Sequence, residues 1–236
     1  MIEPHIVKSF DEHLNKLHDM VWRMGELTER QFDHAIRALI ERDAETAGLA
    51  VAAEAEARAL NAAINEQVIR VLCLRAPVAD DLRVVVTALK IAAALDRIAD
   101  YSAGVARRTL VLNAQTALPT VRAVKRMGAL VHHLLKEVMR AYATRDSALA
   151  HQVWTRDLEV DELYSALFRE LLTYMMEDPA NITASSNLLF IAKNVERIGD
   201  HTTNIGEMVT FLVTGHPMDG ERPKNDTSSY ATGLGH

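Results

Sequence analysis

Cysteine is almost absent: Cys73 stands alone among 236 residues, so no internal disulfide holds the chain together. Aromatic residues make up only 5%, and 10 glycines and 6 prolines leave little of the punctuation that short strands and tight turns require. A basic surplus is missing as well. The 26 Lys and Arg residues face 32 Asp and Glu residues, for a net charge of −6. No Lys/Arg block stands out, which argues against a nucleic-acid surface, since such a surface must neutralise phosphates. No uncharged apolar run approaches the ~18 residues of a membrane helix. The best candidate, Pro179 to Ala192, is short and carries Asn, Ser and Thr. The opening MIEPHIVKSFDEH has neither the basic nor the apolar part of an export signal. The expected setting is the cytoplasm, without a membrane span.

What the chain does have is a hydrophobic fraction of 49%, enough for a sizeable core, which excludes disorder over most of its length. From about residue 4 to 215 it is rich in Ala, Leu, Arg and Glu and lacks β-type alternation, so it reads as all-α. Arg42-Asp43 and Arg145-Asp146 each separate two amphipathic stretches, with the Asp placed to cap the second; Pro77, Pro119 and Pro179 mark the other breaks. These signals predict six helices at about 4–41, 43–74, 78–113, 118–144, 146–177 and 181–214. The polar Gly/Pro-containing segment from 216 to 236 is expected to be disordered.

The helices come in two copies. A shift of 103 places Arg23-Met24-Gly25 on Arg126-Met127-Gly128, Leu27 on Leu130, Ala38 on Ala141, Arg42-Asp43 on Arg145-Asp146 and Glu54 on Asp157. In the third helix the shift becomes 100 and places Leu89 on Leu189, Ile91-Ala92 on Ile191-Ala192, Asp96-Arg97-Ile98 on Glu196-Arg197-Ile198 and Asp100 on Asp200. An ordered series with one three-residue shortening is far less accidental than any single match. The predicted architecture is two tandem pseudo-symmetric three-helix bundles of antiparallel helices, spanning 1–115 and 116–215.

Chemistry is suggested by carboxylates at helical spacing. Asp96 and Asp100, like Glu196 and Asp200, lie four residues apart and so one above the other on a helix face. Like charges at that spacing repel, so each pair calls for a cation. Arg97 and Arg197, each three residues before its Asp, can brace one carboxylate but hardly both. Small or oxygen-bearing residues flank the pairs (Ala92 and Ala192 one turn before, Gly104 and Asn204 one turn after), forming a stripe on which another helix can approach. Leu95, Ile98, Val195 and Ile198 are the expected core beside it. Asp157 and Asp161 form a further pair on the fifth helix, and antiparallel packing against the sixth would gather Asp157, Asp161, Glu196 and Asp200. Four carboxylates without His or Cys make a hard oxygen site suited to magnesium, manganese or iron; zinc usually prefers nitrogen or sulfur. The corresponding first-half residues are Glu54 and Arg58, a ligand lost and a positive charge gained.

Other constellations are poor. No Glu-x-x-His occurs, so the ferritin-like pattern fails, and CxxC, P-loop, dinucleotide and nucleophile-elbow motifs are missing. His132 and His133 are expected at the surface, while Cys73, Met127, Met175 and Met176 are expected to pack in the core.

The segments LDRIADYSAGVARR and VERIGDHTTNIGEMV resemble the paired E(D)-R-I-G/A-D signatures of the PhoU family of phosphate-transport regulators. INEQVIRVLCLRAPVADDLR, DLEVDELYSALFRELLTYMMEDP and the two RMG triplets match in the family's order, over about residues 8 to 215. The resemblance implies a cytoplasmic protein that forms homodimers, with carboxylate clusters that bind metal ions, often iron or zinc. It implies a negative regulator linking the ATPase of a phosphate ABC transporter to a phosphate-sensing histidine kinase. Mapped onto the motifs, the implied metal positions are Asp96 and Asp100, Glu196 and Asp200, Asp157 and Asp161, and Glu54. Arg58 and Gly104 depart from the acidic or amide residues of the pattern. The function expected is a regulatory interaction protein without turnover. The rivals are a carboxylate-bridged, metal-dependent phosphohydrolase and a purely structural helical scaffold.

Overall fold

The computed structural model describes residues 4–75, 79–116, 118–218 and 220. Its helices are α1 (Pro4–Glu41), α2 (Ala44–Arg75), α3 (Ala79–Leu112), α4 (Val121–Thr144), α5 (Ser147–Thr155), α6 (Asp157–Glu177) and α7 (Ile182–Thr214), with a 3₁₀ turn at Pro179–Asn181. No strand occurs among the described residues. The all-α class and the two tandem three-helix units are as the sequence predicts: α1, α2 and α3 pack together, and α4, α5 with α6, and α7 form the second unit. Among the described residues, no helix is long and apolar enough to cross a membrane. Pro77 and most of the 216–236 segment lie outside the described residues.

Both predicted caps form. Asp43 accepts from the Glu45 amide, and Asp146 from the Leu149 amide, each at 2.9 Å. The preceding Arg42 and Arg145 take φ of 57° and 52°, the left-handed conformation that ends α1 and α4. Arg42 also reaches the far end of α3, where it donates to the carbonyls of Leu112, Asn113 and Gln115 at 3.2, 2.8 and 2.8 Å. These contacts satisfy acceptors that a helix end leaves open.

The fifth predicted helix is interrupted at Arg156, whose backbone (φ −86°, ψ 2°) separates α5 from α6. Asp157 and Glu159 then supply the negative charge favoured in a first helical turn, with Arg156 paired to Glu159 at 2.8 Å. Two expected core residues are corrected. Cys73 is exposed and Met176 is 86% exposed. They occupy the same place in the repeat, turned away from the buried Val71 and Leu171 near the ends of α2 and α6. Met127 is buried as expected, and Met175 is half-buried.

The two halves share one continuous core, with α1 against α4 and α3 against α7. These seams are reciprocal. Gly25 of α1 faces Met139 of α4, while Gly128 of α4 faces Ile36 of α1; Gly128 and Met139 are the repeat mates of Gly25 and Ile36. His132 Nε2 lies 3.3 Å from Glu29, its own repeat mate, and Tyr101 stacks on its mate His201 with ring centres 5.8 Å apart. Residues that meet their own equivalents mark a pseudo-two-fold axis. The small residues of the predicted stripe let α3 and α7 close on each other: Ala92 and Ala192 are fully buried, and Gly104 faces Asn194.

Two outcomes test this packing. A Cβ at Gly206 would sit 3.1 Å from the Ala150 carbonyl of α5, whereas nothing lies within 4 Å of one at Gly48. Gly206→Val is therefore expected to lower stability by roughly 1–3 kcal/mol in urea unfolding through overpacking, and Gly48→Ala to raise it by roughly 0.5–1 kcal/mol. Equal shifts for both would contradict the close α5–α7 approach. His18, stacked on the buried Tyr142 at 4.8 Å, has its pKa lowered from 6.5, first by burial and then by Arg145, against an opposing pull from Asp19. The unfolded chain thus binds this proton more readily, so stability is lost as pH falls from the ordinary value through the lowered one. His18→Phe should lose less thermal stability than the parent between pH 7 and pH 5; an identical loss would remove His18 from the account.

Candidate functional site

The second half gathers its acids as the sequence predicts. Asp157 and Asp161 on α6 and Glu196 on α7 are buried, at 2%, 3% and 5% exposure, and Asp200 is half-buried. Asp161, Glu196 and Asp200 line one cavity of about 250 Å³ with Lys193, Arg197, His201 and Tyr101. Asp157 takes its place beside Thr203, whose hydroxyl lies 3.0 Å from Asp157 Oδ1 and 3.0 Å from the Gly199 carbonyl. Lys193 Nζ donates to Glu196 Oε1 at 3.0 Å and sits over the Tyr164 ring. Arg197, expected to brace Asp200, donates to the Tyr101 hydroxyl at 3.0 Å, and its pKa is raised by Tyr101 before the contributions of Glu196 and Asp200.

Four carboxylates, Lys193 and Arg197 share this partly dehydrated region. Keeping buried carboxylates ionised requires compensation by positive charge or hydrogen bonds. Among the described residues, no three His, Cys, Asp or Glu side chains are gathered as metal ligands are. Asp161, Glu196 and Asp200 instead line the wall of the cavity, with Asp157 beside Thr203. In donor chemistry the set is all oxygen and hard, which fits magnesium, manganese or iron.

The first half is built from the equivalent positions but differs in charge. Arg58 Nη2 donates to Glu54 Oε1 at 2.9 Å and to Asp100 Oδ1 at 3.3 Å. Arg97 donates to Asp100 Oδ2 at 3.5 Å, and Arg107 pairs with the other oxygen of Glu54. Asp96, half-buried beside Asp100, accepts from Asn61; burial first and the Asp100 charge second hold its carboxyl above the ordinary 3.8, despite the opposing arginines. Glu54, Asp96 and Asp100 are thus drawn together, but around guanidinium groups.

Tyr101, Lys193 and Thr203 escaped the sequence reading. Tyr101 directly follows Asp100, Lys193 stands three residues before Glu196, and Thr203 three after Asp200. Their helical spacing was available as a signal, but which side of α3 meets α7 was not.

The family model described as the PhoU domain matches twice, at residues 21–109 and 124–209. The "Phosphate-specific transport system accessory protein PhoU homolog" of Caulobacter vibrioides is 45% identical over 226 residues, covering 95% of this chain and 98% of the relative. A protein of the same description from Xylella fastidiosa is 43% identical over 225 residues, covering 95% and 93%. The crystal structure of PhoU from Pseudomonas aeruginosa superposes with a TM-score of 0.85 at 34% identity, over 88% of this chain and 100% of that one. The phosphate transport system regulatory protein PhoU from Streptococcus pneumoniae gives 0.81 at 28% identity, over 89% and 99%. A duplicated helical unit, matched in both copies and along nearly the full length of these relatives, makes this chain a member of the PhoU family.

Proposed function

We propose that this chain is a negative regulator of phosphate uptake and phosphate-starvation signalling, acting by binding the ATPase of a phosphate ABC transporter and a phosphate-sensing histidine kinase. The observation that carries the reading is similarity along nearly the full length to proteins described as accessory to the phosphate-specific transport system. An accessory protein works through its surfaces, so the reading assigns no turnover to the chain. In place of a reaction, it assigns the acidic cavity of the second half a structural task.

Within this reading, Asp157, Asp161, Glu196 and Asp200 hold a divalent or trivalent cation, with iron, manganese, magnesium and zinc as candidates. The ion would offset the facing carboxylates of α6 and α7 and so join the two helices. Asp161 of α6 and Asp200 of α7 both line the cavity in which it would sit. Lys193 holds Glu196 in place at 3.0 Å, and the Thr203 hydroxyl orients Asp157. Cation binding is thereby coupled to the rigidity of the surface that the second half presents to a partner.

Two measurements follow from this reading. The purified full-length chain is expected to retain both the transporter ATPase and the kinase on an affinity column, each from a separately purified preparation; retention of neither would overturn the regulatory reading. After chelation, returning Mn²⁺ to about 100 times its Kd should stabilise the protein by roughly 2.7 kcal/mol, as binding linkage requires. Replacing Glu196 and Asp200 together by Ala should abolish the gain. An unchanged melting temperature in the parent, or an equal rise in the double variant, would sink the metal role.

A further inference from the structure

We propose that Arg58 is a built-in counter-ion that occupies, in the first half, the role a bound cation fills in the second, so that metal acts on only one half of the molecule. The contrast with the second half rests on the metal reading above, while the core of the inference rests on ion-pair geometry.

The two halves superpose by sequence, which makes the charge at each position directly comparable. Arg58 stands where the second half has Asp161, and Arg107 where it has Glu207. Both positions reverse sign. Arg58 joins Glu54 of α2 to Asp100 of α3 at 2.9 and 3.3 Å, and Arg107 of α3 reaches back to Glu54. Arg97 completes the set on Asp100 at 3.5 Å. Three guanidinium groups therefore face three carboxylates, Glu54, Asp96 and Asp100, and the local charge closes to zero. The second half carries acids at both of the reversed positions: Asp161 lines the cavity with Glu196 and Asp200, and Glu207, the mate of Arg107, accepts from Trp154 Nε1 at 3.1 Å.

The chemistry of arginine makes the exclusion firm. A guanidinium stays protonated at any pH the fold survives, so it cannot give way to a metal by losing its proton as Lys or His does. Its planar fork bridges two carboxylates on neighbouring helices, which is what an ion would do at the same place. Arg58 is 64% exposed, so these bridges add little to stability. Their effect lies in charge: a divalent ion entering here would have to displace Arg58 and then sit within a Debye length of it and of two further arginines. Gly104, where the second half has Asn204, offers no side-chain oxygen in compensation.

The test is Mn²⁺ binding to the chelator-stripped full-length chain, read as affinity and ions per chain by equilibrium dialysis, with circular dichroism confirming the fold of each variant. Replacing Asp96 and Asp100 by Asn should leave wild-type binding unchanged, whereas Glu196→Gln with Asp200→Asn should weaken it by about a hundredfold or more, since groups that merely support a metal's ligands are already worth about ten- to a hundredfold. Arg58→Asp, which installs the second half's residue, should add bound Mn²⁺ that Asp100→Asn then removes; Arg58→Gln, of similar length and uncharged, should add it more weakly. Loss of wild-type Mn²⁺ on replacing Asp96 and Asp100, or no gain in either Arg58 variant, would overturn the inference. If the parent binds no Mn²⁺, the metal reading of the second half fails by itself. The gain in Arg58→Asp, measured with Glu196→Gln and Asp200→Asn also present, then still decides the role of Arg58.

Discussion

Carboxylates stacked one turn apart on a helix must be matched by positive charge when that helix is packed against others, and this constraint organises the molecule. The pairs Asp96–Asp100 and Glu196–Asp200 sit on α3 and α7, the two helices that also form the main seam between the halves. Water cannot fully screen acids at such a position, since one side of each helix is committed to the shared core. The chain meets the demand in two ways. The first half supplies arginines from its own helices, and the second places its acids along a cavity that Lys193 and Arg197 also line.

This difference is superimposed on a backbone that is close to symmetric. Gly25 with Met139, and Gly128 with Ile36, exchange the same large and small partners across the α1–α4 seam, and the Tyr101–His201 stack lies on the corresponding axis between α3 and α7. Tyr101 belongs to the first half yet lines the acidic cavity of the second, where its hydroxyl receives Arg197. Any rearrangement around Glu196 and Asp200 is therefore felt directly at α3. Tight packing of this kind transmits small displacements, because interiors of crystal-like density have few ways to absorb them.

Much of the fold was legible because helical periodicity, Asp caps and an internal repeat are local or pairwise properties of the sequence. The break at Arg156 was harder: Val153, Trp154 and Val160 are all buried and prolong the apolar period past it, masking the acidic first turn at Asp157 and Glu159. Cys73 and Met176 misled for a related reason. Apolar character near a helix end indicates burial only where a neighbour covers that side, and among the described residues none covers Cys73 or Met176. At the site, spacing along one helix revealed the acidic pairs, and the repeat offset revealed the reversal at Arg58. The cross-helix partners of those acids, Tyr101 above all, depend on how α3 and α7 are rotated against each other, which one sequence does not encode in any short pattern.

The proposed cation would act on α6 and α7 and leave the first-half acids untouched. Amide hydrogen exchange of the full-length chain, stripped of metal and then supplied with Mn²⁺, reads this directly. The predicted result is slower exchange in α6 and in α7 around residues 196–204, with the amides flanking Glu54 and Asp100 unchanged. Slowing centred on the first-half acids, or none in either half, would contradict it.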